Sequence, residues 1–209
     1  MPAEEVQVDT WFELTQHFQT FARLPQQVQK RFVFRGQADA SWVLETTLDR
    51  VRNRETLGDR GELRSLLIQE FRRLAAGLGV DLTGVQSEGD WEMLGRHHGL
   101  PTAILDWTTS PYIAAFFALS ERPDREPEGA AVWVLDRGVF LDNPLPELQL
   151  VDREDATAFN PRAIEQRAVF LKVESASVPV EDLLSDALMK YVLPRSERPV
   201  VLADLDASL

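Results

Sequence analysis

The chain has 209 residues, 44% of them hydrophobic and 27% charged, a globular composition that predicts a single domain over 1–209 without long disordered stretches. Its 34 acidic and 22 basic residues give a formal net charge of −12, which disfavours a protein that coats duplex nucleic acid. The absence of cysteine excludes disulfides, thiolate metal sites and a cysteine nucleophile, and it fits a cytoplasmic protein.

The first third of the chain predicts two helices with a strand between them. Thr10 and Glu13 form a capping-box pattern at the start of a helical apolar stripe. The segment 31–37 is rich in β-forming residues and predicts a strand whose end carries Arg35 into a loop. Apolar residues at helical spacing over 62–76 predict the second helix.

The middle of the chain predicts a buried strand between two helices. Ser87 is placed to cap a short helix that ends at Gly95, and the apolar run 102–107 is typical of a buried strand. Ser110 and Pro111 suit the N-cap and the first residue of an apolar helix.

The last third of the chain predicts mainly strands. Strands are expected over 130–135, 167–173 and 199–202, a long acidic connection over 141–159, and a helix over 181–191. Because helices come first and most strands late, we expect an α+β fold. The acidic start has no secretory signal pattern, and no apolar run approaches the ~18 residues needed to cross a bilayer, so we expect no membrane attachment.

The first candidate site lies at the end of the predicted strand 31–37. An arginine beside a glycine offers two hydrogen-bonding edges next to bare backbone, which suits a phosphate or a carboxylate. Arg35, Gly36 and Gln37 are therefore candidates to bind an anionic ligand. The structural alternative is that Arg35 pairs with an acidic side chain and Gly36 only turns the chain, and on these residues alone it is the stronger interpretation.

The second candidate site is the segment 97–110, where a predicted strand ends in an acid, an indole and three hydroxyls. A helix N-terminus attracts anions, and hydroxyl and indole groups suit a nucleobase or a nicotinamide ring. A buried strand rarely ends in so many polar groups without a partner, which favours a site over purely local capping and packing. The candidate residues are His98, Asp106, Trp107, Thr108, Thr109 and Ser110.

Two weaker hypotheses use other polar residues. Glu165 and Gln166 come just before the predicted strand 167–173 and could reach the same pocket, although a solvated pair at a strand start is the stronger interpretation. His97, His98 and Asp106 could hold a metal ion, but two ligands from one loop plus one acid predict a metal site only weakly, and we predict none.

Three motifs of this chain together resemble the FRG domain. They are Phe34-Arg35-Gly36, the block HGLPTAILDWT over 98–108, and Arg162 with Gln166 ahead of the apolar pair 169–170. The resemblance covers about 30–173, and the block over 98–108 is its most specific part. More distantly, the layout resembles the ADP-ribosyltransferase fold.

That second resemblance implies N-terminal helices packed on a central, mostly antiparallel, split β-sheet. In this superfamily an early strand carries an Arg or a His that contacts NAD, matched here by Arg35. A Ser-Thr-Ser-type strand then leads into a helix, matched by 108–110. The late E-x-E motif is absent, and Glu165 and Gln166 stand near its place.

The function implied is that of an NAD-consuming ADP-ribosyltransferase or NAD glycohydrolase, a toxin or antiviral effector that cleaves the nicotinamide–ribose bond. Arg35 would grip the pyrophosphate, Trp107 and the following hydroxyls would hold the nicotinamide, and an acid or amide would stabilise the positive anomeric carbon. The expected partners are NAD as substrate, a protein or nucleic acid acceptor, and a neutralising antitoxin. The alternatives are a nucleotide- or RNA-binding module that cleaves nothing and a metal-dependent nuclease. The candidates for the charge-stabilising group are Asp106, Glu165 and Gln166.

Overall fold

The computed structural model describes residues 3–55, 58–75, 77, 79, 82–83, 85–151, 168–175 and 178–207. Their contacts cluster into two compact units, each assembled from separate stretches of the chain. The first unit comprises Met1–Leu44, Asp106–Leu145 and Val178–Leu209, and the second comprises Glu45–Leu105 and Pro146–Ser177. Over the described ranges, no helix is both long and apolar enough to cross a membrane.

The first unit is built on a β-sheet. Its strands are β1 (Glu4–Gln7), β2 (Phe32–Gln37), β4 (Gly129–Asp136), β7 (Leu188–Pro194) and the end of β3 (Ile104–Thr108). Its α-helices are α1 (Trp11–Ala22), α2 (Gln26–Gln29), α6 (Pro111–Ser120), α7 (Arg137–Asp142), α8 (Val180–Leu183) and α9 (Arg198–Asp206). Two 3-10 turns, Ser185–Ala187 and Arg195–Glu197, flank β7.

Strand β7 is a central strand of this unit although it comes late in the chain. The strand order is β1-β7-β4-β2-β3. Strand β1 pairs with β7 in parallel, whereas the pairs β7–β4, β4–β2 and β2–β3 are antiparallel. The sheet of this unit is therefore mostly antiparallel, as expected.

One face of this sheet packs under helices and forms the apolar core of the unit. Strand side chains alternate between faces, so each strand contributes every second residue to this core. Trp11 and Phe18 of α1 contact each other edge to face at 6.0 Å, and Phe18 also contacts Phe34 of β2. The largest further members of the core are Leu14, Leu119, Val132, Val134, Tyr191, Leu193 and Leu205.

Helix α6 lies so close to β2 that only glycine fits between them. A β-carbon built on Gly36 would come within 2.6 Å of the Ala118 nitrogen and closer still to the carbonyl oxygen of Ala114. Both neighbours are backbone atoms, which cannot rotate away as a flexible side chain can. Ala114 and Ala118 are fully buried, so small residues on the helix and a glycine on the strand permit this close approach.

Polar groups satisfy both ends of α6. At its start, the Ser110 hydroxyl accepts the Ile113 amide at 3.4 Å and Pro111 occupies the first turn, as the sequence predicts. At its end, the guanidinium of Arg195 donates to the carbonyls of Ala118 and Glu121 at 2.8 and 2.9 Å. Arg198 also donates, to the Leu119 carbonyl at 2.7 Å. These arginines pair the last carbonyls of the helix and complement its dipole.

The second unit contains α3 (Thr47–Glu55), α4 (Arg60–Ala75), α5 (Glu88–His97), β5 (Leu148–Val151), β6 (Ala168–Val173) and the start of β3. Strands β5 and β6 are antiparallel. Among the described residues of this unit, one small apolar cluster forms around Phe170 and Met93 and another around Phe71 and Leu94.

The structure confirms a mixture of helices and strands consistent with α+β, and it confirms most of the predicted elements. Ser87 caps α5 through a capping box with Asp90. The predicted end of this helix at Gly95 is wrong, because α5 continues to His97 and the turn follows at Gly99, whose φ is +83°. Gly95 instead makes room for Leu100, whose Cδ2 would lie 2.6 Å from a β-carbon there.

Two predictions near the C-terminus are wrong. The segment 181–191, predicted as a helix, forms α8, a 3-10 turn and the first half of β7, because backbone hydrogen bonding to β4 and β1 outweighs its apolar spacing. The segment 199–202, predicted as a strand, lies in α9, where Pro199 occupies the first turn and needs no amide partner. The acidic connection 141–159 contains β5, and its residues 152–159 lie outside the described ranges.

A buried ion pair ties α3 to α4 in the second unit. Arg60 donates to both Asp49 oxygens at 2.6 and 3.2 Å and to the Glu174 carbonyl at 3.0 Å, and the Thr46 hydroxyl donates to Asp49 at 2.5 Å. Both side chains of the pair are 9% exposed. Burial opposes ionisation of Asp49, but the hydrogen bonds from Arg60 and Thr46 outweigh it and lower the pKa of Asp49.

We expect Asp49→Asn to destabilise the protein by about 3 kcal/mol or more, because it leaves the buried guanidinium without its counter-charge. Since folding lowers the pKa of Asp49, its ionisation stabilises the protein above the unfolded-state pKa, and this contribution is lost as pH falls through the folded-state pKa. Urea unfolding from pH 3 to 7 should therefore show a smaller pH dependence for the variant. Glu70→Gln is the control, because the Glu70–Arg73 pair is exposed, and it should change stability by under about 0.5 kcal/mol.

We expect Gly36→Ala to destabilise the protein strongly, by about 3 kcal/mol or more, because its methyl group meets the backbone of α6. Gly89→Ala is the matched control. Its methyl group would meet only the Ser87 hydroxyl at 3.6 Å, and alanine favours the helix by up to about 1 kcal/mol. Thermal unfolding of both variants tests the contact, and equal midpoints would contradict it.

Candidate functional site

The face of the first unit's sheet opposite the helices carries a row of polar and aromatic residues. Arg35 on β2 pairs in register with Trp133 on β4, and Trp133 pairs with Lys190 on β7. Lys190 in turn pairs with Glu5 on β1. Cross-strand partners lie on the same face, and the neighbouring residues Phe34 and Val134 face the helix-covered core. The row therefore lies on the sheet face opposite the helix-covered core.

The row is held together by direct contacts. The Lys190 ammonium lies 5.2 Å from the centre of the Trp133 ring and donates to Glu5 at 2.9 Å. This hydrogen bond holds the pKa of Glu5 below its ordinary value. The Lys190–Glu5 ion pair thus occupies one end of the row, and Arg35 occupies the other end.

Arg35 also reaches the neighbouring strand β3. Its Nη1 donates to the backbone carbonyl of Asp106 at 2.7 Å. This hydrogen bond is compatible both with an anion-binding role of Arg35 and with a structural role. Strand β3 pairs with β2 through Thr108 and Phe34, so alternation puts Trp107 on the face that Arg35 occupies and Asp106 and Thr108 on the other. The predicted residues Arg35 and Trp107 are therefore brought together, whereas Asp106 meets Arg35 through its backbone.

Gln37 has a partner for each side of its amide. Its oxygen accepts the indole hydrogen of Trp133 at 2.5 Å, and its nitrogen donates to the Val43 carbonyl at 3.0 Å. At 7% exposure it holds Trp133 in place. Gly36, also predicted to contact a ligand, faces α6 and permits its close packing.

Local hydrogen bonds engage two of the three predicted hydroxyls. The Thr108 hydroxyl accepts the Ser110 amide at 3.1 Å, and the Ser110 hydroxyl accepts the Ile113 amide. Thr109 between them is exposed. The structure therefore gives Thr108 and Ser110 a role in forming the turn between β3 and α6, and their contact with a ligand stays a prediction.

The histidines belong to the second unit. His97 ends α5 and His98 follows as its C-cap, where its ring packs 5.7 Å from that of Phe71. Both are exposed. Among the described residues, no group of three or more His, Asp or Glu side chains is arranged to hold a metal ion. Glu165 and Gln166 lie outside the described residues.

A cavity of about 710 Å³ opens on the first unit beside this row. Its walls come from β1, β7, the start of β4, and the loops 39–41 and 125–128. Acidic residues outnumber basic ones in the walls, so this cavity suits the pyrophosphate of a dinucleotide less well than the Arg35 end of the row. Its charged residues are Glu5, Asp39, Glu126, Glu128, Arg125 and Lys190.

Sequence analysis missed three residues of the row, Glu5, Trp133 and Lys190. Trp133 and Lys190 lie in segments that were interpreted only as secondary structure, and Lys190 fell within the wrongly predicted helix. An indole in an otherwise aliphatic strand was the available signal for Trp133. No sequence signal links Lys190 to it, because the pairing of β4 with β7 joins residues far apart in the chain.

Comparison with known proteins gives one family match. Residues 30–126 match the family model of the FRG domain, a stretch that contains Phe34-Arg35-Gly36 and the whole block over 98–108. No curated protein and no solved structure matches significantly. The match ends before Arg162 and Gln166, short of the predicted limit at 173. The match over residues 30–126 supports the resemblance of this part of the chain to the FRG family.

Proposed function

We propose that this protein binds NAD at the Arg35 end of the polar row and cleaves the nicotinamide–ribose bond. The observation that carries the proposal is the position of Arg35 between two tryptophans, Trp133 on β4 and Trp107 on β3. A guanidinium fork matches the oxygens of a pyrophosphate, and indole surfaces suit a nucleobase or a nicotinamide ring. Together these groups fit an anionic dinucleotide better than a simple anion.

In the proposed reaction, some residues of the chain bind NAD and others stabilise the positive charge that develops on the ribose. Arg35 binds the pyrophosphate, and its hydrogen bond to the Asp106 carbonyl fixes the guanidinium against β3. The glycosidic bond to nicotinamide breaks through an oxocarbenium-like state, whose positive charge needs a nearby carboxylate or amide. Glu165 and Gln166, which lie outside the described residues, are the proposed groups for this step. Asp106 is not retained for it, because its side chain lies on the sheet face opposite Arg35.

The proposal includes a transfer of ADP-ribose to a protein, a nucleic acid or water. The surplus of acidic residues in the neighbouring cavity favours a protein or water over a polyanion as the acceptor. An enzyme that consumes NAD depletes a common metabolite, which is the basis for proposing a toxin or antiviral effector with a neutralising partner.

A non-catalytic nucleotide-binding module would use the same residues without cleavage, and the assay below distinguishes it. The nuclease hypothesis has no comparable support, because the described residues contain no three-ligand group of His, Asp or Glu. We therefore do not propose it.

We expect the purified protein to release nicotinamide from NAD, and we expect Arg35→Ala to lower kcat/KM about 10- to 100-fold through loss of a charged hydrogen-bond donor. Arg35→Lys should recover only part of the activity, because a single ammonium does not form the bidentate contact. Arg73→Ala, which alters an exposed arginine of α4, should retain full activity. Nicotinamide release is followed by chromatography.

Circular dichroism and thermal unfolding should show that the Arg35 variants fold. NAD binding without release of nicotinamide by the wild type would establish a binding module and refute cleavage. Equal activity in the wild type and a folded Arg35→Ala variant would refute the placement of the site.

A further inference from the structure

Trp107 has a buried indole hydrogen for which the described residues provide no acceptor. Its side chain is 2% exposed, and its Nε1 has no hydrogen-bond partner. The other two deeply buried tryptophans differ in this respect. The indole of Trp11 donates to Asp204 at 2.8 Å, and that of Trp133 donates to Gln37 at 2.5 Å.

An unpaired buried donor is unusual and unfavourable. Most buried polar groups have a partner, because burial removes the hydrogen bond to water that an exposed group would keep. Packing alone does not explain the indole at this position, because a phenylalanine ring would fill much of the space without burying a polar hydrogen. The exception therefore points to a partner other than the described residues.

The position of Trp107 indicates what that partner is. Trp107 lies on the same sheet face as Arg35, on the adjacent strand, and Arg35 donates to the carbonyl of the residue just before it. An indole N–H can only donate, so its partner is an acceptor oxygen, which is a carboxylate for Trp11 and can equally be a carbonyl. The pair is thus complementary to a ligand with an anionic group for Arg35 and a second acceptor oxygen, such as a carbonyl, for Trp107.

We propose that the Trp107 indole donates to the carboxamide oxygen of nicotinamide and makes Trp107 a specificity-determining residue for NAD. This inference rests on the proposed function, in which Arg35 binds the pyrophosphate of the same molecule. Because none of the described residues accepts the indole hydrogen, the ligand gains a hydrogen bond without breaking one among them. Ligands without a good acceptor at this place leave the donor unpaired and are rejected.

The test combines a conservative variant with a matched ligand. Trp107→Phe keeps an aromatic ring and removes the donor, and it should weaken binding of NAD and of free nicotinamide about tenfold. The NAD analogue with sulfur in place of the carboxamide oxygen is a weak acceptor. Wild type should bind this analogue about tenfold more weakly than NAD, and Trp107→Phe should bind both alike. Calorimetry measures these affinities.

Trp11→Phe is the control variant. It also removes a buried indole of the first unit, but from the helix-covered face, where the donor is already paired with Asp204. It should lower the unfolding temperature and leave both affinities unchanged. A second measurement uses only the wild type and so does not require the variants to fold. In its assigned ¹⁵N NMR spectrum, the chemical shift of the Trp107 indole proton should move downfield on addition of NAD or nicotinamide.

Each outcome decides the inference. If the Trp107 indole signal does not move at saturating NAD, as expected when a buried water is the partner, the inference is overturned. It is also overturned if a folded Trp107→Phe variant binds NAD as tightly as the wild type does. Movement of the signal without release of nicotinamide supports the role of Trp107 and refutes cleavage. Release of nicotinamide with a stationary signal refutes the role of Trp107 alone. Failure of both NAD and nicotinamide to bind overturns both proposals.

Discussion

The contact between the backbones of α6 and β2 at Gly36 fixes the geometry on which the candidate site depends. Arg35 precedes this glycine, and Trp107 and the hydroxyl turn precede the helix that packs on it. Because the contact is made by backbone atoms, it sets the distance between strand and helix more strictly than side chains would. The proposed site residues therefore occupy positions set by a close backbone contact in the first unit, and a rigid scaffold is what a preorganised site requires.

Because of the same contact, the two faces of the sheet carry chemically different side chains. Small residues allow α6 to press on one face, where aromatic and aliphatic side chains exclude water. The opposite face carries a guanidinium, two indoles, an amide and an ammonium in buried or half-buried positions. Ionic and amide groups in such positions rarely improve stability over apolar side chains, and the proposed ligand-binding role would account for their concentration on one face.

Local signals made the central part of this fold predictable from sequence. Ser110-Pro111 and Ser87 mark helix starts because their capping chemistry is complete within a few residues. The segments 181–191 and 199–202 were mispredicted because short apolar runs do not distinguish strand from helix, and the pairing that decides between them joins distant parts of the chain.

For the candidate site, sequence analysis identified Arg35 and Trp107 but assigned Gly36 to the ligand where the structure shows packing. It also could not distinguish the hydroxyls of Thr108 and Ser110 as turn-forming groups from ligand-binding groups, because both roles require the same residues in the same order. No sequence pattern predicts that the Trp107 indole hydrogen lacks an acceptor among the described residues, because this depends on which side chains the fold brings next to it.

The position of β7 between β1 and β4 affects how this protein folds during its synthesis on the ribosome. Strands β1 and β4 are both made before β7, yet each has β7 as a neighbour, so their shared sheet stays open until Leu188–Pro194 emerge from the exit tunnel. Pairings that join distant parts of a chain also form late in folding. A nascent polypeptide therefore holds Trp133 without its Lys190 neighbour until the segment between them has been made, and the polar row forms only after β7 has emerged.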